Sequence, residues 1–150
     1  TVQLPLYNEM YVVDRLLAGQ CPGAPLRADS TALGRVLLER GQARGLELLE
    51  ATFRRERDEA AGRLLGLHYK RQGQWDQAAE VWRGILEERR SLFAVVELAK
   101  YLEHRRRRHA EALDWVLRAF AWGLPLDPQA RRDLQRRRER LQRKATGGSS

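Results

Sequence analysis

The sequence predicts an all-α fold built from repeated pairs of helices, and three observations support this prediction. Charged residues (32%) and hydrophobic residues (43%) alternate with the spacing of amphipathic helices. Capping and helix-ending residues divide the chain into segments of helical length. Small residues recur with a period close to 34, and large apolar residues follow the same period. The small set is Gly45, Ala78 and Ala112, and the large set is Phe53, Leu86 and Phe120.

We expect seven helices separated by short turns. Side-chain oxygens cap the starts of helices, and glycines that can adopt positive φ end them. The predicted caps are Asp29 or Ser30, Ser91 and Asp127, and the ending glycines are Gly41, Gly73 and Gly123. The predicted helices cover about 30–40, 43–54, 57–72, 75–89, 92–104, 109–122 and 127–145.

The last predicted helix differs from the others in composition. Pro128 stands at its first helical position, and its apolar edge is limited to Ala130, Leu134 and Leu141. A thin apolar edge with a charged remainder is typical of a capping helix laid over the end of a repeat array. The predicted organisation is an N-terminal segment with a Gly/Pro linker, helical repeats, a capping helix and a disordered tail. These regions cover 1–27, 28–126, 127–145 and 146–150.

The central stretch "LGLHYKRQGQWDQAAEVWRGIL" resembles one unit of the tetratricopeptide repeat family. The resemblance rests on Leu65, Gly66, Tyr69, Gly73, Trp75, Ala78, Trp82 and Leu86. It implies a right-handed solenoid of about three helical pairs, in which small residues lie where helices cross and aromatic residues fill the space between helices. The flanking units depart from the pattern: Gly45 stands where alanine is usual, and arginines replace the turn glycine in the third unit.

Residues 30–144 also resemble the helical tail that follows the ribonuclease-H-like exonuclease domain in some bacterial proteins. The stretches "LHYKRQGQWDQAAEVW" and "VELAKYLEHRRRRHAEAL" carry this resemblance. The catalytic carboxylates of such proteins lie in the preceding domain. The resemblance therefore implies an accessory, non-catalytic module of a nucleic-acid-processing protein.

Residues 1–17 separately resemble the first strand and helix of family 2 glycosyltransferases. The stretches "VQLPLYNE" and "YVVDRLL" carry this resemblance. It implies that Tyr7, Asn8 and Glu9 lie near the base of a sugar nucleotide. The alternative function is therefore a glycosyltransferase fragment that carries only the start of its nucleotide-sugar site.

Cations on the first helix of each predicted pair are the first candidate binding site. The concave face of such a repeat is lined by these helices. The five cations placed on or near that face are Arg35, Arg63, Lys70, Arg71 and Lys100. Together they would favour an acidic peptide or a phosphate backbone. The alternative is a solvated surface neutralised by salt bridges, with Glu39, Glu97 and Glu103 as partners.

The run "HRRRRH" is the densest charge cluster, and it falls in the turn between two helices. Its arginines, Arg105, Arg106, Arg107 and Arg108, repel one another and suit phosphate contact, although an exposed loop without a ligand is equally compatible. The last helix adds further cations, among them Arg137 and Arg138. They could follow a nucleic-acid backbone non-specifically or only keep a capping helix soluble.

Composition and motifs indicate a binding protein without catalysis or cofactor. No nucleophile–base pair, metal-spaced cluster or glycine-rich phosphate loop is present in the sequence, and Cys21 is the only cysteine. The formal net charge of +8 favours anionic partners. We expect a scaffold that binds a protein partner, an acidic peptide or non-specifically nucleic acid, with self-association as a further option. No apolar run could span a membrane and no signal peptide is recognised, so a cytoplasmic location is expected.

Overall fold

The computed structural model describes residues 27–147, with side chains from Ser30 onward. Within this range the chain forms seven α-helices and no strand, which confirms the all-α class. Every predicted helix is present, and no boundary differs from its prediction by more than three residues. The helices are α1 (Arg27–Glu39), α2 (Ala43–Glu56), α3 (Glu59–Arg71), α4 (Trp75–Glu88), α5 (Leu92–His104), α6 (His109–Ala121) and α7 (Pro128–Gly147).

Within the described residues the chain divides into two compact units, 27–65 and 66–147, with the boundary inside α3. Residues 1–17, on which the glycosyltransferase resemblance rests, lie outside the described residues, so that resemblance stays a prediction. Helix α7 extends to Gly147, two residues into the predicted tail. None of the helices within 27–147 combines the length and the apolar composition that crossing a membrane requires.

In the first unit, α1 and α2 pack against each other at very short range. Leu37 and Leu49 are almost completely buried. A Cβ atom added at Gly45 would lie 2.8 Å from the carbonyl carbon of Leu37 and 2.8 Å from the carbonyl oxygen of Gly34. These are backbone atoms that cannot rotate away. Glycine at position 45, where the repeat pattern usually has alanine, is therefore a requirement of this close helix crossing.

Two of the predicted N-caps are confirmed. The Ser91 hydroxyl accepts a hydrogen bond from the Ala94 amide at 3.2 Å, and the Asp127 carboxylate accepts one from the Ala130 amide at 2.8 Å. Each bond satisfies an amide that has no partner inside its helix. These caps fix the starts of α5 and α7.

The start of α1 was predicted incorrectly. This helix begins at Arg27, so Asp29 and Ser30 lie inside it. A cap that the sequence analysis missed is Asp58, whose carboxylate accepts from the Ala61 amide at 3.1 Å and from the Thr31 hydroxyl at 3.0 Å. Asp58 therefore both starts α3 and ties it to α1 within the first unit.

Helices α1, α3 and α6 are each followed by the predicted helix-ending glycine, and all three glycines have positive φ. The φ values of Gly41, Gly73 and Gly123 are 71°, 73° and 64°. At Gly73 the following amide of Gln74 donates back to the carbonyl of Tyr69 at 2.8 Å, which closes the helix end. In the turn after α5 a left-handed residue is also present, but it is Arg107, with φ 52°.

In the second unit, α4 packs on α5, α5 on α6, and α6 on α7. Trp82 is only 1% exposed, and a Cβ atom at Gly66 would lie 2.5 Å from its indole nitrogen. The burial of Trp82 agrees with the prediction that aromatic residues fill the space between helices, and its ring lies against Gly66. Leu134 and Leu141 are also buried, so the thin apolar edge of α7 does face the core.

Candidate anion-binding site

The four arginines of the turn between α5 and α6 have different environments. The guanidinium of Arg105 lies over the indole of Trp75, 3.9 Å from the ring centroid. Arg106 donates from Nη2 to Asp76 at 2.7 Å and from Nε to the Tyr101 hydroxyl at 2.8 Å. Tyr101 in turn donates to Asp76. Arg105 and Arg106 thus hold the turn against the start of α4.

The hydrogen bonds from Tyr101 and Arg106 lower the pKa of Asp76 below its usual value. The Asp76 carboxylate is therefore ionised near neutral pH and keeps both bonds. Because Arg106 is engaged in this way, its charge is partly compensated before any external anion approaches.

Arg107 and Arg108 diverge from each other in the second half of the turn. Arg108 lies 3.7 Å from the Glu111 carboxylate, which also pairs with Arg83 at 2.7 Å. Arg107 is exposed and has no side-chain partner within residues 27–147. Among these four arginines, Arg107 is the one that makes neither an ion pair nor an aromatic contact within the described residues.

Glu103, the penultimate residue of α5, is a fully buried acid whose side chain has 0% exposure. Its Oε1 accepts from Arg140 Nε at 2.6 Å and from Lys144 Nζ at 2.9 Å. Its Oε2 accepts from Arg140 Nη2 at 3.0 Å and from Arg137 Nη1 at 3.1 Å. A carboxylate offers about four acceptor positions, so Glu103 is saturated.

Burial alone would raise the pKa of Glu103, but the hydrogen bonds from Arg140 and Lys144 outweigh it and lower the pKa to about 2. The carboxylate is thus ionised across the physiological range. Its role in this arrangement is to anchor α7 to α5 and to fix Arg140 and Lys144 in position. Each of these cations keeps further donors free, because guanidinium has five N–H groups and ammonium has three.

A cavity of about 650 Å³ opens beside this buried carboxylate. Its lining is entirely charged, imidazole or glycine, and it includes no aliphatic or aromatic hydrocarbon side chain. Four permanent cations face one saturated carboxylate, which leaves a surplus of three positive charges. The lining residues are Glu103, His104, Arg107, His109, Arg140, Arg143, Lys144 and Gly147.

Arg143 resembles Arg107 in its environment. It is exposed on α7, and its side chain has no partner within the described part of the chain. At the edge of the same cavity, Nδ1 of His109 is shielded from solvent and also makes no hydrogen bond to a described residue. His104 lies nearby, with its Nε2 3.6 Å from the Glu103 carboxylate. The cavity therefore has two cations that Glu103 holds in place, Arg140 and Lys144. It also has two cations that are unpaired within residues 27–147, Arg107 and Arg143.

The cations predicted for a concave face are spread over both units. Lys70 and Lys100 share one carboxylate, Glu97, at 3.2 and 3.3 Å. Arg71 is exposed at the end of α3 and makes no ion pair within residues 27–147. In the second unit Lys70 and Lys100 thus lie close together, and Glu97 neutralises part of their charge.

Arg35 and Arg63 belong to the first unit. Both line a cavity of about 470 Å³ whose other walls include Ala32, Ala60 and Leu64. Arg63 also pairs with Glu59 at 3.1 Å along α3. These two arginines do lie near each other, at a surface that is largely apolar.

Arg137 and Arg138 of α7 point toward the protein. Arg137 is only 16% exposed and donates to Glu103. The guanidinium of Arg138 lies over the Phe120 ring at 4.6 Å. Both arginines are therefore used mainly in holding α7 against α5 and α6.

Sequence reasoning counted Arg140, Arg143 and Lys144 among the cations of the last helix that could follow a nucleic-acid backbone, but it did not distinguish these three from the others. One signal was present: Arg137, Arg140 and Lys144 recur at the i, i+3, i+7 spacing of one helix face, flanked by Leu134 and Leu141. That spacing places these cations beside the buried edge of α7. What the sequence could not show is that Glu103 lies opposite them.

No group of three or more metal-ligating side chains occurs among residues 27–147. The chain matches no protein-family model, no curated protein and no solved structure. The geometry of the cavity is therefore the basis on which a function can be assigned.

Proposed function

We propose that this chain is a helical binding module without catalytic activity, which captures a phosphate-bearing ligand in the cavity beside Glu103. The observation that carries the proposal is the pairing pattern: Arg107 and Arg143 remain unpaired at a cavity where Arg140 and Lys144 are already fixed by a buried acid. Preorganised cations bind an anion without first losing much side-chain freedom. Arginine at such a place offers planar, bidentate recognition of phosphate oxygens.

The backbone at Arg107 supports the same conclusion. A left-handed conformation costs a non-glycine residue about 1–2 kcal/mol, and the corresponding turn after α3 uses glycine. Strained backbone of this kind occurs at functional positions, although Arg57, with φ 51°, shows it at the end of α2 without lining the cavity. Arg107 thus occupies a place where glycine would be more stable and supplies a charge that glycine cannot.

The scaffold of this module is, in our proposal, a tetratricopeptide-like array of three helical pairs with α7 as its cap. Local geometry supports this. The first helix of each pair is 13 residues long and its partner is 13 or 14. Each pair contains a turn with a left-handed residue, at Gly41, Gly73 and Arg107. The role as an accessory module of a nucleic-acid-processing protein is part of the same proposal, since such a protein handles phosphate-bearing ligands.

The test is calorimetric titration with inorganic tripolyphosphate, a compact polyanion without a base or sugar. The wild-type chain is compared with the double variant Arg107→Gln/Arg143→Gln. We expect the double variant to bind about tenfold more weakly or worse, because each cation removed from a solvent-open site contributes about 1 kcal/mol. Affinity of the wild type should fall steeply with added salt.

The matched control is Arg71→Gln, which removes one exposed arginine of the same unit that does not line the cavity. It should bind tripolyphosphate as the wild type does. Melting temperatures of all variants show whether each is folded. Absence of wild-type binding, or an equal loss in Arg71→Gln, would overturn the assignment of the site.

A further inference from the structure

A row of arginines on α7 continues the charge of the cavity along the outer face of that helix. Leu134 and Leu141 are buried and define the inner face. With 3.6 residues per turn, the outer face carries Arg132, Arg136 and Arg143, which fall within a narrow sector opposite the two leucines. All three are exposed. Arg143 also lines the cavity, so the row and the cavity form one continuous basic surface.

Within the described residues, neither acid of α7 forms an ion pair with this row. Asp133 accepts a hydrogen bond from Gln129 at 2.9 Å, and Glu139 accepts one from Gln135 at 3.5 Å. Arg136 has no side-chain partner within the described residues. Like charges four residues apart on a helix are destabilising, and Arg132 and Arg136 have that spacing. The helix therefore keeps exposed repulsion although acids are available on it.

The row is long compared with a compact ligand. From Arg132 to Arg143 it extends over about 16 Å of helix axis, at 1.5 Å per residue. A small polyphosphate seated in the cavity would leave Arg132 and Arg136 uncontacted. A nucleic-acid backbone, with phosphates at regular intervals, could contact both the cavity and the row.

The chemistry of the surface also limits the form of the nucleic acid. Single strands are bound through aromatic side chains on which bases stack. Among the described residues, neither the cavity lining nor the row contains a Trp, Tyr or Phe ring, and the only rings of the lining are the imidazoles of His104 and His109. Trp75, Trp115 and Phe120 each have an arginine over one face. A surface on which cations predominate contacts the phosphates and does not distinguish the bases.

We infer that the ligand of the proposed site is the backbone of a double-stranded nucleic acid, bound without sequence preference by the cavity and the α7 row together. This inference rests on the proposed function, because the cavity supplies part of the binding surface. Arg107 and Arg143 contact phosphates at one end of the surface, and Arg136 and Arg132 contact phosphates farther along the duplex.

The experiment measures binding of a short mixed-sequence DNA duplex by fluorescence anisotropy over a series of salt concentrations, for the wild type and Arg132→Gln/Arg136→Gln. The slope of log K against log salt should shrink by about two units in the double variant, one for each phosphate that its side chains no longer neutralise. Tripolyphosphate binding at about 0.15 M salt should change much less than it does in Arg107→Gln/Arg143→Gln, because neither Arg132 nor Arg136 lines the cavity. A second duplex of different sequence should bind equally well.

The matched control is Arg54→Gln/Arg71→Gln, which removes two exposed arginines outside the row. Its salt slope should equal that of the wild type. Three results would overturn the inference while leaving the cavity intact: an unchanged slope in the row variant, a single strand bound more tightly than the duplex, or polyglutamate bound as tightly as the duplex. A wild-type protein that does not bind tripolyphosphate would instead overturn the proposed function. The inference about the cavity and the α7 row would then fall with it.

Discussion

Arg107 adopts in the turn after α5 the left-handed backbone conformation that Gly73 adopts in the turn after α3, with φ of 52° and 73°. The turn that contains Arg107 is also one residue longer: the Arg108 amide reaches back to the Leu102 carbonyl at 2.8 Å. This geometry presents the Arg107 side chain at the cavity beside Glu103. Arginine at position 107 therefore costs backbone stability and supplies a charge to the proposed anion-binding site.

Replacing Arg107 with glycine should raise the stability of the protein and weaken anion binding together. Glycine removes the strain of the left-handed conformation, a gain of about 1 kcal/mol, which corresponds to about 2–4 °C in melting temperature for a chain of this size. Thermal unfolding and tripolyphosphate titration are the two measurements. Arg107→Gln distinguishes the two effects, because it removes the charge but keeps the backbone strain. It should bind tripolyphosphate more weakly than the wild type without the gain in stability that glycine gives. A glycine variant that is less stable than Arg107→Gln would contradict this account.

The sequence predicts the helices well because their signals are local. Ser91 and Asp127 cap helices by bonds to amides three residues away, and Gly73 ends a helix by its own conformation. The burial of Trp82 was expected from the resemblance of residues 65–86 to one helical-repeat unit. Each of these features can be inferred from a short stretch of chain.

The site could not be predicted in the same way because its contacts are distant in sequence. Glu103 is joined to Arg140 and Lys144 across 37 and 41 residues. In the sequence it is only one acid next to an arginine run, and its complete burial has no local signal. In the sequence the run is four arginines of equal charge. In the structure Arg105 stacks on Trp75. Arg106 bonds to Asp76 and Tyr101, and Arg107 stays unpaired within the described residues.

Arg105 is expected to matter for stability and little for anion binding. Its guanidinium lies over Trp75, and a cation–π contact of this exposed kind contributes about 0.5–1 kcal/mol. Arg105→Ala should lower the free energy of unfolding by about that amount in urea denaturation, while tripolyphosphate affinity changes by less than it does in Arg107→Gln. The reverse order, with binding weakened more in Arg105→Ala, would show that the stacked arginine leaves the indole to contact the ligand.

Replacing Glu103 with glutamine should destabilise the protein by about 3 kcal/mol at pH 7, because the mostly buried Arg137 and the partly exposed Arg140 and Lys144 lose their shared counter-charge. Arg140, Lys144 and Arg137 would then repel one another across the α5–α7 contact. Urea denaturation measures the loss. The control is Glu139→Gln, which neutralises an exposed acid of α7 and should be nearly neutral. Equal stabilities for the two variants would mean that Glu103 does not hold α7.

The same carboxylate predicts how stability depends on pH. The pKa of Glu103 is lowered in the folded state from 4.5 to about 2, so its stabilising contribution is complete above pH 4.5 and is lost as the pH falls toward 2. Integrated over that window, the contribution is about 3 kcal/mol. Denaturation at several pH values should show wild-type stability falling more steeply than that of Glu103→Gln between pH 4.5 and 2. Parallel curves for the two proteins would contradict the lowered pKa.

Gly45→Ala tests the close crossing of α1 and α2. By helix propensity alone, alanine would stabilise α2 by about 1 kcal/mol. The added methyl group would, however, overlap the Leu38 amide nitrogen and lie 2.8 Å from the Leu37 carbonyl carbon, so the two helices would have to separate. We expect the packing cost to prevail, with a net destabilisation of about 2 kcal/mol in urea denaturation. Gly147→Ala is the control, since nothing lies within 4 Å of its added methyl group and it should be neutral or slightly stabilising. If Gly45→Ala were as stable as this control, α1 and α2 could not be packed as closely as the structure shows.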